Sequence, residues 1–105
     1  MFINVSETLK TFDGNAMKDG DGQGNVIDVT LKLALVNALL APVQNETGVE
    51  KVKKYELARK IYKAEGDVEL TAEDISLCKK RVDTVFPSPI IVGQVNELLE
   101  GKQGQ

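Results

Sequence analysis

Residues 30–42 read TLKLALVNALLAP, and this is the most continuously apolar stretch of the chain. The other elements are expected to pack around it. Thr30 has the short hydroxyl side chain that caps helices, and Pro42 cannot continue a helix because it lacks a backbone N–H. The stretch therefore predicts a helix over residues 31–41.

The apolar side chains of this helix point in almost every direction, because only Lys32 and Asn37 interrupt them. A helix of this kind is buried on both faces or shared with a partner chain. We expect a central helix of one domain. The alternative is a self-association surface, whose candidate residues are Leu33, Val36 and Leu40.

Three further helices are predicted downstream by their start and stop signals. Thr47 with Glu50 and Thr71 with Asp74 have the spacing of capping boxes, in which each residue bonds the other's free amide. Proline at position 89 suits the first turn of a last helix. The predicted helices cover about residues 49–64, 72–85 and 89–99.

The segment before the central helix predicts a β-ribbon. Residues 13–25 are dense in glycine, aspartate and asparagine, which favour turns. Residues 26–29 alternate weakly and are expected to return as a strand beside residues 9–12. Val68 and Leu70 predict one more short extended piece. The fold class is thus α+β, with an N-terminal β-ribbon followed by three or four packed helices.

Length and composition fit one globular domain. The chain has 105 residues, of which 42% are hydrophobic and 28% charged. We expect residues 1–101 to form a single domain and residues 102–105 to fray.

The residue types that most often perform catalysis are scarce. The chain has no histidine and one cysteine, Cys78, so serine–histidine and cysteine–histidine catalysis and an internal disulfide are excluded within it. Cys78 falls on the apolar face of its predicted helix and is expected in the core. We expect a non-enzymatic protein without a cofactor.

Charge and hydropathy predict the setting. The net charge is −3, no basic and apolar leader opens the chain, and no apolar run approaches the length of a membrane span. We expect a cytoplasmic protein without a membrane partner.

The second helix offers a candidate binding surface. Four basic side chains project over one outer face, namely Lys53, Arg59, Lys60 and Lys63. Such a face is what any soluble helix presents to solvent. The alternatives are that it binds an acidic protein partner or the phosphates of a nucleic acid. The apolar face is assigned to Tyr55, Leu57, Ala58, Ile61 and Tyr62, so no aromatic ring is expected on the basic face. Residues 79–81, Lys-Lys-Arg, predict a second basic run.

A weak calcium site is the remaining hypothesis. Residues 19–30 place oxygen-bearing side chains at the early ligand positions of a twelve-residue calcium loop, namely Asp19, Asp21, Gln23 and Asn25. The last position holds Thr30 instead of a bidentate glutamate, which lowers the expected affinity. The alternative is a polar hairpin tip.

Residues 30–99 resemble small bacteriophage-encoded proteins of unassigned function. The resemblance rests on VNALL (36–40), KYELARKI (54–61), ELTAEDI (69–75) and VGQ (92–94). It implies a phage or prophage origin and a host-cytoplasm setting, and it carries over no site residue. Our leading hypothesis is a phage accessory or assembly protein that acts through protein–protein contacts.

Overall fold

The computed structural model describes residues 1–20 and 22–101. Within that part of the chain, four short strands and four helices form an α+β fold, which confirms the predicted fold class. In chain order they are β1 (Phe2–Asn4), β2 (Lys18–Gly20), β3 (Val26–Asp28), α1 (Leu31–Leu40), α2 (Gly48–Lys63), β4 (Asp67–Glu69), α3 (Ala72–Val85) and α4 (Pro89–Leu99).

Helix α1 lies at the centre, packed against α2 and α3. It begins where predicted, because the Thr30 hydroxyl accepts a hydrogen bond from the Leu33 amide at 3.2 Å. Five of its side chains are buried in the core, namely Leu31, Ala34, Leu35, Ala38 and Leu39. The apolar character of the stretch thus reflects burial between several elements.

Helices α2 and α3 start at the capping boxes expected from the sequence. The Glu50 amide donates to the Thr47 hydroxyl, and the Asp74 amide donates to the Thr71 hydroxyl, each at 3.1 Å. Helix α4 begins at Pro89 without a side-chain cap. No helix among the described residues has the combination of length and apolar character that crossing a bilayer requires.

One antiparallel sheet joins the start of the chain to the segment after α2. Strand β1 pairs with β4, with Ile3 opposite Val68, and both side chains are buried. The Val5 amide extends the contact by donating to the Gly66 carbonyl at 3.0 Å. The extended piece at residue 68 is confirmed, and its pairing with the N-terminal strand is a finding of the structure.

The second sheet corrects the predicted pairing of the ribbon. Strand β3 pairs with β2, with Asp19 opposite Ile27, and not with residues 9–12. Gly22 and Gly24 have φ values of 84° and 89°, which side-chain-bearing residues rarely adopt, so the chain reverses directly after β2. Residue 9 still meets this ribbon, because the Leu9 amide donates to the Val29 carbonyl at 2.8 Å.

The C-terminal end of α1 is completed by a side chain from α3. In a continuing helix the Ala38 carbonyl would accept from the amide of residue 42, but Pro42 has no N–H. The Nε of Arg81 donates to that carbonyl at 3.3 Å, and Arg81 is only 6% exposed. Arg81 therefore does not take part in the surface basic run predicted at residues 79–81. Its positive charge instead suits the C-terminal end of a helix.

Two lysines fasten helix α2 to its neighbours. The Lys32 ammonium of α1 donates to the Ala64 carbonyl at the C-terminal end of α2. Lys54, in the second turn of α2, forms an ion pair with Glu46 of the preceding loop, and both side chains are almost fully buried. These contacts fix which face of α2 turns toward the core.

Candidate binding surface on helix α2

Helix α2 turns two tyrosines outward. Leu57, Ala58 and Ile61 are buried against the core, whereas Tyr55 and Tyr62 are 54% and 67% exposed. The assignment of both tyrosines to the apolar face is therefore wrong. Their positions lie roughly 100° around the helix from the buried residues, so the smaller aliphatic side chains fill the core and the rings remain outside it.

The two rings belong to a continuous row along the helix, which we call the α2 stripe (Val52, Tyr55, Arg59 and Tyr62). The spacing of three, four and three residues keeps these side chains on one side of the helix. All four are exposed. The stripe extends for about 15 Å, the rise of ten residues of α-helix.

Cationic groups hold both rings of the stripe. The guanidinium carbon of Arg59 lies 5.2 Å from the centroid of the Tyr55 ring, and the Lys32 Nζ lies 5.9 Å from that of Tyr62. Both distances are within the range of cation–π attraction. These contacts restrict the conformations of the two tyrosine side chains.

Lysines extend the exposed surface of α2 around the helix from the stripe. The four basic residues singled out from the sequence, Lys53, Arg59, Lys60 and Lys63, are all exposed. At about 100° per residue, Lys63 is adjacent to the stripe, whereas Lys60 and Lys53 lie roughly 120–140° around the helix from its centre. Lys53 approaches Glu73 at 3.9 Å, and Lys60 and Lys63 form no ion pair with any described residue.

The whole of α2 is basic in an acidic chain. It contains six basic and two acidic residues, a net charge of +4, whereas the complete chain has a net charge of −3. The positive charge is thus concentrated on the helix that carries the stripe.

A pocket of about 280 Å³ adjoins the stripe where α1 and α2 meet. Leu40, Val43 and Tyr55 contribute to its wall, together with the Lys54–Glu46 pair. Leu40 is 54% exposed, so apolar surface continues from the stripe into the pocket.

The residues considered for self-association do not share one environment. Leu40 is exposed, whereas Leu33 and Val36 are half-buried. Val36 also packs against the hydrophobic core. Of these three residues, only Leu40 is thus exposed enough to present an apolar surface.

The predicted calcium loop coincides with the β2–β3 hairpin. Asp21 lies outside the described residues. The Asp19 carboxylate accepts a hydrogen bond from the adjacent Gly20 amide at 2.8 Å, and Gln23 and Asn25 are exposed. Among the described residues no three acidic or cysteine side chains are grouped so that they could hold a metal ion. Calcium binding stays a prediction.

The only cysteine is buried, as expected from the sequence. Burial of the Cys78 thiol, together with a smaller contribution from the nearby Asp74 charge, raises its pKa from 9.0 to about 12. The thiol is therefore protonated near neutral pH, and it lies in the core away from the α2 stripe.

No protein-family model, curated protein or solved structure matches this chain. The resemblance to bacteriophage proteins consequently stays a prediction.

Proposed function

We propose that this protein is a non-enzymatic interaction module that binds an acidic protein partner through the α2 stripe and the lysines beside it. The observation that carries the proposal is the row of exposed Tyr55, Arg59 and Tyr62 side chains, with each ring held by a cation. A phage accessory or assembly factor, the role suggested by the resemblance, would act through a surface of this kind.

The composition of the stripe favours a protein partner. Tyrosine and arginine are the residue types that most often dominate the binding energy of protein interfaces. Val52 is 56% exposed, and the pocket that includes Leu40 supplies further apolar area next to it. Burying such side chains provides a hydrophobic driving force of about 25 cal/mol for each Å² removed from water.

Charge determines which partner fits. Two copies of α2 facing each other would each bring a net charge of +4, and like charges placed opposite each other oppose association. An acidic surface instead complements Lys53, Lys60 and Lys63 and speeds encounter at low salt. An acidic protein therefore fits this surface better than a second copy of α2 does.

The experiment is affinity capture from nuclease-treated host lysate, followed by binding measurements with the purified captured protein. We expect one acidic protein to bind the wild-type chain, and we expect the double variant Tyr55→Ser, Tyr62→Ser to weaken binding at least tenfold, about 1.4 kcal/mol. Val26→Ser is the matched control, because Val26 is 71% exposed on the β2–β3 hairpin.

The double tyrosine variant also provides the contradicting outcome. If it binds the captured protein as tightly as the wild-type chain, the α2 stripe is not the binding surface. If every captured protein disappears after nuclease treatment, a protein partner is not the ligand.

A single-stranded nucleic acid is the second candidate, and the exposed tyrosines favour it. Bases stack on aromatic rings while basic side chains contact the backbone, and α2 places Tyr55 and Tyr62 beside Arg59, Lys60 and Lys63. The sequence-based expectation that this face holds no aromatic ring is wrong. The net charge of −3 weighs against this candidate, since nucleic-acid-binding domains usually carry a basic excess.

Fluorescence anisotropy with labelled single-stranded oligonucleotides separates the two candidates. Nucleic-acid binding would weaken steeply between about 50 and 200 mM salt, because counterions are released on binding. It would also be lost on charge reversal of Arg59 and Lys60 to glutamate. Anisotropy that stays constant on addition of the protein would exclude the second candidate.

A further inference from the structure

A groove of about 500 Å³ lies between residues 7–12 and helix α4, on a surface distinct from the α2 stripe. Pro89, Ile90, Gly93 and Gln94 form its wall on the helix side. The ring of Phe12 lies at its edge and is 96% exposed, the most exposed large hydrophobic side chain among the described residues.

The exposure of Phe12 is imposed by an ordered loop. The Gly14 amide donates to the Thr11 carbonyl and the Thr11 amide to the Asn15 carbonyl, each at 2.9 Å. Next to these two hydrogen bonds, the backbone of Lys10 forms hydrogen bonds with the side chain of Gln94. The backbone on both sides of Phe12 is therefore fixed, and the ring projects from it into solvent.

Gly93 lies inside α4, where neither the backbone conformation nor close packing within the chain requires glycine. Glycine destabilises the interior of a helix relative to alanine. A Cβ atom added at Gly93 would meet no heavy atom within 4 Å. The missing side chain leaves the helix backbone open at the groove, so a ring from another molecule can approach it closely.

The charges around the groove are of both signs. Glu7, Lys10 and Glu97 line it, and none of them forms an ion pair with another described residue. One face thus carries a projecting ring, a recess, a cation and two carboxylates. In a two-fold dimer the same surface of both copies meets, so that surface must be complementary to itself. Here the ring of one copy can meet the recess of the other, and the cation can meet the carboxylates.

We propose that this face binds a second copy of the chain about a two-fold axis. Phe12 of each copy enters the groove of the other over Gly93, and Lys10 faces the carboxylates across the interface. The contact differs from the self-association surface predicted at Leu33, Val36 and Leu40. It also differs from the acidic partner site on α2.

Sedimentation of the full chain from micromolar to millimolar concentration tests the proposal. We expect a monomer–dimer equilibrium, in which Phe12→Ser raises the dissociation constant at least about tenfold. Gly93→Ala has two effects of opposite sign. It raises the thermal midpoint by about 4 °C, because alanine favours the helix, and it weakens the dimer because the methyl group occupies the recess.

Mixing the two variants gives a second test. Each variant alone lacks both ring-in-groove contacts, whereas a heterodimer of Phe12→Ser with Gly93→Ala regains one of them. The mixture should therefore associate more strongly than either variant alone. Val26→Ser, which changes an exposed apolar residue of the β2–β3 hairpin, is the control and should leave the dimer unchanged.

A chain that remains monomeric at every concentration overturns the proposal. A dimer whose dissociation constant is the same in the wild type, Phe12→Ser and Gly93→Ala also overturns it, since association would then use another surface.

Discussion

The side-chain amide of Gln94 pairs with both backbone groups of Lys10, as a neighbouring strand would. The Lys10 amide donates to Gln94 Oε1 at 2.7 Å, and Gln94 Nε2 donates to the Lys10 carbonyl at 2.5 Å. A residue of α4 thus satisfies the exposed edge of the N-terminal segment, although the two residues are separated by 84 positions. The pairing fastens the loop that carries Phe12 to the last helix.

Replacing Gln94 by alanine should release this loop. We expect Gln94→Ala to lower the free energy of unfolding by about 1–2 kcal/mol, because two hydrogen bonds are lost at a partly hydrated site. The Lys10 amide should exchange its hydrogen faster. Gln94→Glu is the control, since its carboxylate still accepts from that amide, and an unchanged exchange rate in Gln94→Ala would contradict the prediction.

Arg81 should contribute far more to stability than Lys80, its exposed neighbour on the same helix. Arg81→Ala leaves the buried Ala38 carbonyl without its side-chain donor, so we expect a loss of about 2–3 kcal/mol. Lys80→Ala changes an exposed residue of the same helix and should alter the free energy of unfolding by less than about 0.5 kcal/mol. Urea unfolding of the two variants compares these values, and equal losses would show that the Arg81 contact contributes nothing.

The two sides of α2 should respond differently to truncation. Ile61 is fully buried, so Ile61→Ala should lower the free energy of unfolding by about 3 kcal/mol. Tyr62→Ser removes a larger side chain from the adjacent position, yet we expect a change below about 1 kcal/mol because the ring is mostly exposed. Urea unfolding measures both, and a similar loss in the two variants would place Tyr62 in the core.

Glu50 should make the start of α2 sensitive to acid. Hydrogen bonds from the Thr47 amide and hydroxyl hold the pKa of the Glu50 carboxyl below its ordinary value of 4.5. A pKa lowered by folding stabilises the protein above the unfolded value, and that stabilisation is lost as the pH falls through the folded value. NMR titration should therefore give a Glu50 pKa below 4.5.

Thr47→Ala is the matched control for Glu50. It removes the hydroxyl that bonds the carboxylate, so the Glu50 pKa should rise toward its ordinary value. Glu50→Gln should remove the contribution of this group to the acid dependence of stability, and the urea midpoint of that variant should fall less steeply between about pH 6 and pH 3.

Cys78 should be inert in the folded protein. A pKa raised from 9.0 to about 12 lowers the thiolate population at a given pH by about 1000-fold, and only the thiolate attacks disulfide reagents. We expect labelling by a chromogenic disulfide at pH 8 to be at least about 100-fold slower in buffer than in urea. Comparable rates in the two solutions would mean that the thiol is accessible.

Local sequence signals predicted the helices well. Thr30, Thr47 and Thr71 each bond a backbone amide of the first turn that follows, so the start of a helix depends on residues close together in the chain. The sequence predicted the wrong partner for strand β3. The chain turns where Gly22 and Gly24 adopt positive φ, and the sequence pattern does not indicate which of its several glycines do so.

The exposed surface of α2 was predicted only in part. The basic residues of α2 were found by their helical spacing, since charged side chains are rarely buried. The exposure of Tyr55 and Tyr62 depends on how α1 packs against α2, and neither helix contains that information alone. Arg81 is the converse case, because its contact with the Ala38 carbonyl replaces the amide that Pro42 lacks, and Pro42 lies far from Arg81 in the sequence.

The pairing of β1 with β4 has a consequence for the order of folding. Ile3 can meet Val68 only after both α1 and α2 have been synthesised, so the first strand must wait while the ribosome adds more than sixty residues. Closing so long a loop costs entropy that the local α1–α2 contacts do not have to overcome. Assembly should therefore begin with the helical hairpin, and the N-terminal strand should join the nascent domain late.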